Sequence, residues 1–117
     1  MQRNNDASHA IKIFHALSHP LRLSICLALK DEPKSVSQLC ELLDTKQYMI
    51  SQQLSILRRA ELVENKRQAR QVIYSIASVN IINLINLALD EKSKNLQMQI
   101  IANKEKRNAF SEFARIL

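Results

Sequence analysis

The 117-residue chain is long enough for one packed domain and hardly for two, and its 46% hydrophobic content is globular rather than disordered. It has no glycine and two prolines, hence few obligatory turns, and this composition favours helices. Formal net charge is +6, and no stretch is apolar or long enough for a helical bilayer span, so the composition argues for a polyanionic partner and against a membrane one.

The N-terminus, MQRNNDASHA, is polar and carries no apolar segment like that of a signal peptide. Two cysteines, Cys26 and Cys40, make no disulfide framework, and together these features predict a cytoplasmic protein. Residues 1–8 read as a polar lead. Ile11, Phe14, Ala16 and Leu17 then have helical spacing and predict a first helix up to Ser18. Ser18-His19-Pro20 reads as a stop and restart, with Pro20 in the first turn of a second helix, where its missing N–H costs nothing. LRLSICLALK follows with an almost continuous apolar face and should be the most buried helix. Asp31 to Lys34 reads as a loop. Ser35 or Ser37 can cap a third helix with Val36, Leu39, Cys40 and Leu43 on its inner side.

Asp44-Thr45-Lys46 predicts a tight polar turn into a fourth helix, roughly Gln47 to Arg59. Ile50, Leu54 and Leu57 recur at i, i+4 and i+7 and face the core, leaving Gln47, Tyr48, Ser51, Gln52 and Ser55 outside. Two short helices, a turn of about three residues and an exposed polar second helix form the helix-turn-helix pattern. Gln and Ser both donate and accept, as reading base edges in a major groove requires. Leu62-Val63-Glu64 and Val72 to Ile76 read as two strands, with a polar, basic hairpin tip from Asn65 to Gln71 between them. Between Lys46 and Arg70 six basic residues (Lys46, Arg58, Arg59, Lys66, Arg67, Arg70) stand against two acidic ones (Glu61, Glu64), so this window holds +4 of the net charge. A basic hairpin after a helix-turn-helix is a wing that can reach phosphate or the minor groove.

From Ser78 the chain reads as helix again. Ile81, Ile82, Leu84, Ile85, Ala88 and Leu89 form an apolar stripe wider than one thin domain needs, which predicts a partner helix from a second copy. Phe14, Ile82, Ile85 and Leu89 are the residues expected at that dimer seam. Asn103 to Asn108 interrupts the stripe and Phe110, Phe113 and Ile116 resume it, so residues 91–117 read as a helical extension, either continuous or kinked. The expected architecture is mainly α with a two-stranded β wing: four helices, two strands and an extended C-terminal helix. Residues 9–90 form the domain.

The segment His15-Ala16-Leu17-Ser18-His19-Pro20-Leu21-Arg22-Leu23, with Ser51-Gln52-Gln53-Leu54, Leu57-Arg58-Arg59-Ala60, Leu62-Val63, Arg67, Arg70 and Tyr74, resembles the ArsR/SmtB family of metalloregulatory repressors. The resemblance covers about residues 10 to 90. It implies a winged helix-turn-helix homodimer joined through its first and last helices. It also implies that the fourth helix and the wing bind an inverted repeat in double-stranded DNA, and that an inducer, here unknown, releases the DNA. The chain departs from the family where metal ligands are needed. Ser35 and Ser37 stand at the family's Cys-x-Cys positions, and Ser78, Asn80, Glu91 and Lys94 at those of the last-helix site. One potential ligand in four does not make a zinc site, so no metal and no cofactor are expected. Glu61 and Ala69 stand where glycines are common in the family, which predicts a longer or differently shaped wing turn.

Some relatives pair a second-helix cysteine with one in the last helix. This chain has Cys26 and none in the last helix, which leaves Cys26 and Cys40 as a candidate redox pair or as core packing. His19 reads as a helix-junction residue; a metal role for His9, His15 and His19 has no acidic or thiol partner to complete it. No Ser/His/Asp set, phosphate loop or paired carboxylates suggest an enzyme. The expected DNA contacts are Lys46, Gln47, Tyr48, Ser51, Gln52, Ser55, Arg58, Arg67 and Arg70. Two other readings remain: a protein-interaction module on the same scaffold, and a thiol-based redox-sensing repressor acting through Cys26 and Cys40.

Overall fold

A computed structural model describes the backbone of residues 2–93 and the side chains of residues 7–90. The elements run α1 (Gln2–Leu17), α2 (Pro20–Leu29), β1 (Lys34–Ser35), α3 (Val36–Leu43), α4 (Gln47–Arg59), β2 (Val63–Gln68), β3 (Gln71–Ile76) and α5 (Val79–Ser93). The first helix thus takes in most of the segment expected as a polar lead. The rest of the expected C-terminal extension, residues 94–117, lies outside the described residues.

Local chemistry sets most boundaries. His19 caps α2: its Nδ1 accepts from the Leu21 and Arg22 N–H groups at 3.2 and 3.5 Å, and Pro20 fills the first turn. Burial, with help from the neighbouring Arg22 charge, holds the His19 pKa below its ordinary value, as an acceptor imidazole requires. Ser35, not Ser37, caps α3 in a full capping box: its Oγ accepts from Gln38 N–H while Gln38 Oε1 accepts from Ser35 N–H. Asp44 takes the left-handed conformation at φ 50°, which a short polar side chain tolerates, and Thr45 N–H reaches back to Cys40 O at 3.1 Å. The three-residue turn to α4 follows as expected.

The sheet adds to the sequence reading. The wing hairpin β2–β3 is two-stranded as expected, and a third antiparallel strand outside it completes a sheet in the order β1-β3-β2. Lys34 and Ser35, expected in or beside a loop, pair with Tyr74 and Ile73 of β3. The wing turn is also tighter than expected. Gln68 pairs with Gln71, leaving only Ala69 and Arg70 between the strands, and Ala69 adopts φ 56°. Glu61 does the same at φ 65° after α4, where Leu62 N–H bonds Leu57 O and Glu61 N–H bonds Arg58 O. That is a Schellman cap, which glycine ordinarily ends.

One core draws on every helix. Ile25, Cys26 and Leu29 of α2, Leu39 of α3, and Ile50, Leu54 and Leu57 of α4 meet Ala16, Leu62, Val63, Ile81 and Ile85. Ile85 is only 3% exposed and packs into its own protomer, so the sequence reading that put it at the dimer seam is corrected. Among the described residues, the large exposed apolar side chains on the two outer helices are Ile11 and Phe14 of α1 and Val79, Leu87 and Leu89 of α5. Ile82 is half-buried.

Candidate nucleic-acid interface

The chemistry of the surface begins with how α4 is seated. Ile50, Leu54 and Leu57 are fully buried, so one face of the helix is fixed to the core. Tyr48, Gln52, Ser55 and Arg59, at i, i+4, i+7 and i+11, therefore share the opposite face, and all four are exposed. Gln47, Ser51 and Arg58 form one flank of that face, also exposed. The expected contacts on this helix thus lie on one continuous surface. Arg59 was missed by the sequence reading, although its position at i+4 from Ser55 was already the signal that places it there.

The start of α4 carries a cation. Lys46 is the N-cap residue, and its side chain makes no capping hydrogen bond. A lysine there repels the positive end of the helix dipole and leaves first-turn N–H groups uncapped by a side chain. Both features are unfavourable to the isolated helix and favourable toward a phosphate.

The wing supplies the second basic element. Val63 pairs with Ile76, Asn65 with Tyr74 and Arg67 with Val72, so Arg67 lies on the sheet face that carries Val63 inward to the core. Lys66, paired with Ile73, lies on the other face, and Arg70 sits in the two-residue tip. Residues 64–71 are exposed throughout. A hairpin with a cation on each face and one at its tip can neutralise phosphates on both sides of a groove. The sequence reading did not single out Lys66, because counting basic residues does not say which face each occupies.

The cysteines lie elsewhere. Cys26 is 0% exposed, and burial pushes its thiol up to about 12 against the smaller opposing effect of Arg22. Cys40 is half-buried and lines an open groove with Ser35, Ser37, Gln38, Glu41, Gln47 and Gln71. Both are free thiols. Ser35 is committed to the α3 cap. Among the described residues no three His, Cys, Asp or Glu side chains are grouped as a metal site, and no helix there is long and apolar enough to cross a membrane.

Comparison with known proteins places this geometry among regulators. A helix-turn-helix domain family matches residues 17–65. The biofilm growth-associated repressor of Agrobacterium fabrum is 37% identical over 71 residues, which are 61% of this chain and 61% of that protein. The transcriptional activator HlyU of Vibrio cholerae is 32% identical over 87 residues, covering 74% of this chain and 79% of that protein. Its solved structure has a TM-score of 0.68 to this chain, over 75% of this chain and 94% of the solved one. A homodimeric winged helix-turn-helix DNA-binding domain from Mycobacterium bovis matches with a TM-score of 0.70 over 90% of both chains; at 20% identity this likeness concerns the fold alone.

Proposed function

The chain belongs to the ArsR/SmtB family of winged helix-turn-helix transcriptional regulators, and from that membership we propose that two copies bind one inverted-repeat operator and repress transcription from it. Each copy lays α4 in a major groove, with Tyr48, Gln52, Ser55 and Arg59 toward base edges and Gln47 and Ser51 on the flank. Lys46 and Arg58 hold phosphates beside that groove. Lys66, Arg67 and Arg70 carry the wing across the neighbouring backbone. The exposed apolar residues of α1 and α5, Phe14 and Leu89 among them, form the seam between copies, with Ile82 at its border.

The observation that carries this reading is the stripe Tyr48–Gln52–Ser55–Arg59. It stands on a helix whose opposite face is wholly buried, and it is flanked by cations that pair with no carboxylate among the described residues. The fold has no internal use for those side chains.

The test is selection of duplexes from a random pool by the purified chain, followed by titration of the selected and a scrambled duplex across a salt series. A palindromic preference is expected, with log affinity falling by about 0.9 per neutralised phosphate for each unit of log salt. A reporter placed behind the selected sequence should read lower when the chain is present. Equal affinity for both duplexes, or affinity indifferent to salt, overturns the reading; a reporter that rises overturns repression alone.

A further inference from the structure

Arg22 is the one charged residue of α2, only 8% exposed, and among the described residues no carboxylate pairs with it. It sits in the first turn of α2, where the helix dipole disfavours a cation. Neither its burial nor its position serves α2. Its guanidinium reaches two other helices instead. Nε donates to Ala16 O at 2.8 Å, in the last turn of α1 where carbonyls lack helical partners, and Nη2 reaches His15 O at 3.5 Å, which also accepts from the Ser18 N–H and Oγ. Nη1 donates to Gln53 Oε1 at 3.0 Å on α4.

Gln53 lies on the flank of α4 between the buried row and the exposed stripe. A bond at that position opposes rotation of α4 about its own axis, and that rotation decides where Tyr48, Gln52, Ser55 and Arg59 point. The other end of the fork grips the last turn of the helix that carries exposed Ile11 and Phe14. A rigid, planar fork can hold two directions at once, which an ammonium on a flexible stem does not. We infer that Arg22 and Gln53 form a positioning link that sets the roll of α4 relative to α1, and so sets how well the dimer tells its operator from other DNA. This rests on the DNA-binding reading above.

Two readouts separate the link from that reading. The first is amide hydrogen exchange of the free full-length protein. Gln53→Ala and Arg22→Lys should each speed exchange in α4 while leaving the β2–β3 hairpin as in the parent. Unchanged α4 exchange in both variants overturns the link. The second is the ratio of affinities for the pool-selected and scrambled duplexes. Gln53→Ala leaves Arg22 bonded to α1, so the protein should fold with the parent's circular dichroism, while the ratio falls roughly tenfold. Gln53→Glu keeps an acceptor for Arg22 and should retain the ratio, its added charge weakening both duplexes alike. The double variant Arg22→Lys, Gln53→Ala should lose no more than the worse single one, because the two residues act as a unit. Additive losses would mean that Gln53 touches DNA by itself and would overturn the link. If the parent selects no sequence from the pool, the DNA-binding reading fails and the role in discrimination fails with it, while the exchange result still decides whether the link exists.

Discussion

Glu61 and Ala69 hold left-handed backbone in a chain that has no glycine to offer. Each Cβ crowds its own backbone there, at a cost of order 1 kcal/mol or more. Glu61→Gly and Ala69→Gly should therefore each raise unfolding stability by about 1 kcal/mol, less the entropy that glycine adds to the unfolded chain. Denaturant titration with unchanged slope checks this. His19 gives a pH dependence whose sign follows from its cap. Its folded pKa is lowered, so the unfolded chain binds the proton more readily. The stability it contributes is complete above the unfolded value of about 6.5 and is lost as pH falls through the folded one. The parent's melting temperature should therefore drop as pH falls from neutral through the His19 titration more than that of His19→Asn, which keeps an acceptor that does not titrate. Equal slopes would remove His19 from the cap. Cys26, with its pKa near 12 and no exposure, is poorly disposed to act as a thiolate at neutral pH, which weighs against the redox reading.

At the scale of the element, helix and wing should fail differently. Gln52→Ala should cost about 1–3 kcal/mol on the selected duplex and little on the scrambled one, because a base contact carries sequence information. Arg67→Ala or Lys66→Ala should weaken both duplexes alike and shallow the salt slope by about one unit per lost phosphate. A Gln52→Ala protein that binds both duplexes as the parent does would take base reading away from that residue. The sequence showed α4 to the residue, since Ile50, Leu54 and Leu57 have only one helical reading and Asp44-Thr45-Lys46 only one turn reading. It could not show β1. Two residues, Lys34 and Ser35, have no periodicity, and their partners Tyr74 and Ile73 stand about 40 positions further along the chain. Nor could an apolar stripe say which of its residues face their own protomer. Ile85 and Leu89 share a helical face, but α5 outruns the core after Ile85, so one is buried and the other exposed. Arg22 was invisible as an interior residue because its acceptors are backbone carbonyls and one glutamine, which leave no charge pattern in the sequence.

For the whole molecule, the seam can be separated from the core. Phe14 is 60% and Leu87 64% exposed in the protomer, so Phe14→Glu or Leu87→Glu should leave the fold intact and shift sedimentation from dimer to monomer. Affinity for the palindrome should fall with it, because one subunit reads one half-site. Ile85→Glu should instead unfold the protomer, since it forces a carboxylate into the core at a cost of several kcal/mol. Phe14→Glu that remains dimeric would move the seam off α1.

The strand order β1-β3-β2 leaves β3 paired on both sides along its inner part and β2 as an open edge. An open edge offers a row of backbone groups to any passing strand, and charged side chains are the usual deterrent to such joining. Lys66 and Arg67 stand along that edge, two exposed cations that disfavour sheet-to-sheet joining with a second copy. The cations that would grip phosphate therefore also guard the protein's solubility. A wing stripped of them would lose both its hold on nucleic acid and its protection against aggregation.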